Sequence, residues 1–209
     1  MKPTLLLLLG IAAFSARAAE FTCTITSTKG EPVAEAVVSL VPLDAAVPPV
    51  APDAQVEIAQ QAQEFTAYVT VVQAGTKVVF PNRDSVQHHV YSLSKPKKFE
   101  LPLYNPGQAE SIVFEVPGLV TIGCNIHDWM ISHLVIVPTP WFAKSDATGA
   151  VKITAPAGRY RLDIWHPRGT LAAKELTLTD SAPTKEVAVL TLKPDRRVRR
   201  SLGGKTSGY

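Results

Sequence analysis

The sequence predicts an all-β protein, a sandwich or barrel of many short strands. Three observations carry this. Short β-branched or apolar runs recur along the chain, and several alternate residue by residue. Proline and glycine, 17 and 12 among 209 residues, punctuate nearly every gap. The one helix-compatible stretch, residues 54–64, is short and Gln-rich and carries no helix prediction. A chain 46% hydrophobic and 19% charged is globular and long enough for one or two domains with a sizeable core. Its net charge of +3 is too small to point to nucleic acid.

Taken in order, the chain opens with the marks of a secretory signal peptide over residues 1–18. Lys2 gives the positive end, residues 5–14 form an apolar run, and Ala16-Arg17-Ala18 is an A-x-A cleavage pattern. Ten apolar residues are half of the roughly 20 that a helix needs to span a bilayer. No lipobox precedes Cys23, and no later segment reads as transmembrane. The expectation is an exported, soluble protein with a formal charge of +1 after cleavage.

Strands are expected over Thr76-Lys77-Val78-Val79-Phe80 and over an alternating stretch with Ile112, Phe114 and Val116 on one side. Others are residues 119–122, residues 131–137 and a stretch alternating at Tyr160, Leu162 and Ile164. Residues 176–179 and 187–192 complete the set. The last segment, residues 193–209, holds Lys193, Arg196, Arg197, Arg199, Arg200 and Lys205 against Asp195, a sum of +5. This composition predicts a disordered basic tail, either a solvated end or an arm for an acidic partner or membrane surface.

The chemistry is concentrated in Gly123-Cys124-Asn125-Ile126-His127-Asp128-Trp129-Met130. Here a thiol, an imidazole and a thioether follow one another as C-x2-H-x2-M, and Met130 is the only methionine after residue 1. Upstream, Phe80-Pro81-Asn82-Arg83-Asp84 leads into His88-His89-Val90-Tyr91. Two imidazoles and a thiolate with a long bond to a Met sulfur form the blue-copper donor set. Thiolate suits Cu(I) and imidazole suits Cu(II), so the set serves both oxidation states. A tight loop between adjacent strands can aim Cys124, His127 and Met130 at one point, with the remaining His coming from a neighbouring strand.

These motifs resemble the cupredoxin family, most closely its plastocyanin and amicyanin members. The resemblance covers about residues 56–138. It implies a Greek-key β-sandwich over residues 54–138 and one type 1 copper held by His88, Cys124, His127 and Met130. It implies an electron carrier, not an enzyme, working between a redox donor and acceptor. His88 falls on the family's first ligand position. His89 replaces an Asn whose side chain braces the ligand loop, so His89 is expected to act as the brace. Strand alternation allows only one of these two histidines to bind. FPN-x-D with HHVYS and GCNIHDWM is also similar to periplasmic proteins named for methylamine utilization. Periplasmic location follows from that resemblance and the signal peptide.

Competing readings attach to the same residues. Two cysteines in an exported chain suggest a Cys23–Cys124 disulfide, and with it an adhesive or structural sandwich. The alternative is that Cys23 is a small buried hydrophobe. His88, His89, Cys124 and His127 are also a zinc-type set, which would leave Met130 idle. A Cys-His hydrolase would need an oxyanion hole and an orienting group, and nothing marks these. His133 and His166 lie outside ligand motifs and read as structural. Trp129 is either core packing or a docking surface. A copper carrier or store without redox work is the alternative to electron transfer.

The flanks carry a second unit. Thr28-Lys29-Gly30-Glu31-Pro32-Val33 with the following strand, and Ser145-Asp146-Ala147-Thr148-Gly149 with Pro156-Ala157-Gly158, resemble carboxypeptidase-regulatory-like, or prealbumin-like, sandwiches. The expected layout is a prealbumin-like sandwich split over residues 19–43 and 139–192, with the copper domain inserted into or joined to it. Residues 41–53 would lead out, and Pro138-Thr139-Pro140 would return.

Overall fold

A computed structural model describes residues 17–195. The expected signal peptide, up to residue 16, and the basic tail beyond residue 195 lie outside the described residues. The described chain contains strands and no α-helix. In order they are β1 (Ala18–Ser27), β2 (Val37–Pro42), β3 (Gln55–Glu57), β4 (Gln60–Gln61), β5 (Glu64–Phe65) and β6 (Val69–Gln73). Next come β7 (Thr76–Pro81), β8 (Val90–Ser92), β9 (Phe99–Glu100), β10 (Ala109–Phe114), β11 (Gly118–Cys124) and β12 (His127–Val137). The last are β13 (Phe142–Lys144), β14 (Ala150–Pro156), β15 (Gly158–His166), β16 (Gly169–Thr170), β17 (Lys174–Leu178) and β18 (Thr184–Leu190). Among the described residues no helix is long and apolar enough to cross a membrane.

Strand alternation decides which residues are buried. In β1, Ala19, Phe21, Cys23 and Ile25 point inward and are nearly inaccessible. They pack with Val38 and Leu40 of β2, Val151 and Ile153 of β14, and Leu162 of β15. One sheet of this half runs β14-β1-β18, and the other runs β13-β2-β15 with β16 and β17 paired to β15. A second core gathers Val78 and Phe80 of β7, Phe114 of β10, Val120, Ile122 and Cys124 of β11, and Met130 and Leu134 of β12. It lies between the sheet β10-β7-β3 and the sheet β6-β12-β11-β8-β9. Val37, Val69, Val135 and Val137 form a small third cluster where β2 meets β6 and β12.

Several strand ends differ from the sequence pattern. β10 stops at Phe114, so Val116 lies between β10 and β11 and is exposed. β2 takes in Val41 and Pro42, which the sequence assigns to the outgoing linker. Residues 54–64 form β3 and β4, paired to β7 and β5 respectively. Gly75 turns the chain between β6 and β7 at φ 96°, and an added Cβ would lie 2.6 Å from Val50 Cγ1. Only glycine meets both conditions. In the returning segment Thr139 is fully buried, and its hydroxyl donates to Leu40 O at 2.9 Å. Lys193 is held by its N–H to Arg168 O at 2.8 Å, so the first residue of the expected tail is tied to the body.

Cys23 sits in the first core, where burial, aided by the Glu186 carboxylate, pushes its thiol up from 9.0 to about 11. A folded pKa above the unfolded one means that the native state binds more protons in that window. Its stabilising contribution is therefore complete below pH 9.0 and is lost as pH rises towards about 11. Denaturant unfolding of the wild type minus that of Cys23→Ala should decline across this window and be level at lower pH. A flat difference would remove the burial account of this thiol.

Candidate metal centre

β11 supplies the first site residue. Val120, Ile122 and Cys124 alternate inward along it, so Cys124 is the last core-facing residue of the strand. Its backbone pairs on both edges, with Val90 of β8 and with His127 of β12. Gly123 pairs with Ile131, and the next pair is Cys124 with His127. Asp128, Trp129 and Met130 therefore have no partner on β11, and this bulge re-aims the residues around it. At Gly123 an added Cβ would lie 3.2 Å from the Tyr91 ring, so the small residue lets that ring lie close beside the cysteine strand.

His88 arrives just before β8. It pairs with Tyr104 by His88 N–H to Tyr104 O at 3.2 Å and Tyr104 N–H to His88 O at 3.0 Å. His88, His89 and Val90 then read buried, half-buried, buried. His88 is fully inaccessible and points into the core. His89 turns the other way, with Nε2 3.0 Å from Glu100 Oε1. The bracing expected of the His89 side chain falls to its backbone instead, because Asn125 N–H donates to His89 O at 2.9 Å.

Three predicted donors converge. Cys124 Sγ lies 3.6 Å from His88 Nδ1 and 3.6 Å from His127 Nδ1. All three ligand atoms fall within 4.8 Å of one another. Metal–nitrogen and metal–sulfur bonds of ~2.1 and ~2.3 Å are long enough in sum for one ion to bridge either 3.6 Å cysteine–histidine pair. Met130 is buried in the same core cluster as Cys124. One thiolate and two imidazoles, with a thioether in the same core, fit copper in both oxidation states. A closed zinc set would need His89 as its fourth donor, and that side chain faces Glu100.

The surroundings include residues that sequence reasoning missed. His88 Nε2 lies 2.8 Å from Asp84 Oδ2, and Asp84 also accepts from Gln63 N–H at 3.0 Å. Asp84 stood in the FPN-x-D motif, but nothing in that spacing assigned it a role. Tyr104 is buried, and its hydroxyl donates to Gln60 Oε1. Burial, with the nearby Cys124, holds that phenol well above its ordinary range, so it stays protonated. Trp129 packs against the second core 5.4 Å from the His127 ring, and its Nε1–H donates to Gln63 O at 2.9 Å.

The other candidates lie elsewhere. His133 contacts the Tyr68 and Trp165 rings, and His166 Nδ1 accepts from Arg168 N–H at 3.2 Å. Cys23 and Cys124 are both free and buried, in different core clusters.

No protein-family model and no curated protein matches the sequence. Among solved structures, similar chains include amicyanin from Paracoccus versutus, at 21% identity over 42% of this chain and 85% of that one, with TM-score 0.38. A purple cupredoxin from Nitrosopumilus maritimus shares 27% identity over 41% of this chain and all of its own, with TM-score 0.35. A copper-containing nitrite reductase from Thermus scotoductus shares 24% over 47% of this chain and 25% of its own, with TM-score 0.38. The case for a metal rests on the side chains that converge at Cys124.

With both thiols free, the metal-free protein, denatured without reductant, should titrate as two thiols per chain. A count of zero in a monomer would establish the disulfide and remove Cys124 as a ligand.

Proposed function

We propose that this chain is an exported copper protein that carries single electrons, with His88, Cys124, His127 and Met130 holding one type 1 copper. The observation that carries the reading is the buried convergence of Cys124 Sγ with two imidazole Nδ1 atoms at 3.6 Å each. Copper supplies a one-electron couple at such a donor set.

The protein's own part is to hold the donors still. His88 is fully buried and Cys124 is 3% exposed, so neither has room to change rotamer without disturbing the core. A site that holds its shape loses little energy to rearrangement when an electron moves. His127 is half-buried at the end of the bulge and gives the site its contact with the surface. Four protein donors leave no coordination position for a substrate, which favours a carrier over an enzyme. The same enclosure favours electron transfer over metal delivery, since a carrier of ions must release them. A periplasmic setting follows from the signal-peptide pattern, and the partners are a redox donor and a redox acceptor. The half of the chain built on β1, β2, β14, β15, β17 and β18 we read as the prealbumin-like module, with residues 54–138 as the copper domain.

Copper(II) added to the metal-free protein should give an intense visible charge-transfer band with narrow copper hyperfine splitting in electron paramagnetic resonance. Cys124→Ser should lose both. A colourless Cu(II) form of the wild type would refute the type 1 assignment, and tight zinc retention without colour would support a zinc site. The adjacent histidines separate in the same assay. His88→Ala should abolish the band or open the site to added imidazole, whereas His89→Ala should keep it. Loss on His89→Ala alone would mean a strand register one residue away from the one described.

A further inference from the structure

The loop before His88 is built around a single carboxylate. Asn82, 2% exposed, donates from Nδ2 to Val86 O at 2.8 Å, and its Oδ1 accepts from Asp84 N–H at 3.0 Å. This turn directs the Asp84 side chain, 9% exposed, to His88. One oxygen, Oδ2, takes both contacts, 3.0 Å from Gln63 N and 2.8 Å from His88 Nε2. A carboxylate can only accept, so Nε2 must carry the ring proton. Nδ1 is then left with its lone pair on the side of Cys124 Sγ.

We propose that Asp84 is a positioning residue for the copper centre that fixes His88 in its ligating form and biases the bound ion towards Cu(II). The proposal rests on the copper reading above. The positioning half follows from geometry, because a buried ring hydrogen-bonded at Nε2 cannot turn that nitrogen to the metal. The second half follows from charge. With the Cys124 thiolate and the Asp84 carboxylate, Cu(II) gives a net charge of zero and Cu(I) gives −1. A buried site disfavours the uncompensated charge. The carboxylate, one imidazole away from the ion, therefore stabilises the oxidised form more than the reduced form.

Asp84→Asn tests the charge alone. An Asn with its oxygen in the Oδ2 position keeps both hydrogen bonds and the shape. In the full copper-loaded chain at neutral pH, the variant should keep its visible band and bind Cu(I) relative to Cu(II) at least tenfold more favourably. That is a rise of 59 mV or more in midpoint potential for a one-electron couple. An unchanged or lower potential with the band intact would overturn the proposal, whereas a wild type without the band would overturn the copper reading itself. The positioning half is tested on the metal-free wild type, whether or not the variant folds. At about pH 8.5, two units above the ordinary histidine value, nitrogen-15 NMR should show His88 protonated at Nε2. A ring protonated at Nδ1 would overturn the proposal whatever metal the site takes.

Discussion

Cys124 is paired through its backbone to a strand on each side, and the site depends on that constraint. Val90 of β8 holds one edge and His127 of β12 the other. A residue held in the middle of a sheet has one inward direction for its side chain, and here it leads to His88. The β12 partner is displaced by three residues at this point, which brings His127 level with Cys124. Without that displacement, Met130 would sit opposite Cys124 in the ladder. The ligand loop is therefore specified by sheet pairing, and further tied by Asn125 N–H to His89 O.

The rest of the second core supports this point. Phe80, Phe114, Ile122 and Leu134 are fully buried around it and come from both facing sheets. Truncating one such side chain to alanine costs about 2–5 kcal/mol, a large share of the ~5–15 kcal/mol that holds a domain together. The site and the fold thus share one packing arrangement, so the donors are rigid for the same reason that the domain is stable. β12 runs on from the site to the valine cluster shared with β2, where Lys144 Nζ also donates to Val69 O at 2.7 Å. The long strand joins the candidate metal site in one core to the valine cluster beside the other.

Much of the framework was legible in the sequence because period-2 alternation and Pro or Gly punctuation are local signals. β7, β11, β12, β15 and β17 all overlap the runs that the pattern marks. The three donors that meet at Cys124 stood in two motifs whose residue types already matched a metal set. The two side-chain misses share one physical cause, since each depends on a partner outside its own motif. The motif position of His89 implies a side-chain brace, but its direction is set by Glu100 on β9. Asp84 was visible as part of a motif, yet its role appears only when Gln63 and His88 converge on one of its oxygens. The three-residue offset between β11 and β12 has no local signal, because both flanking stretches read as ordinary strand.

The central claim is that one copper ion bonds the Cys124 sulfur and the Nδ1 atoms of His88 and His127. X-ray absorption at the copper edge of the loaded, full-length protein tests it most directly. The account predicts one short copper–sulfur bond and two imidazole nitrogens, with the short sulfur shell lost in Cys124→Ser. A copper shell of nitrogen and oxygen alone in the wild type would contradict it.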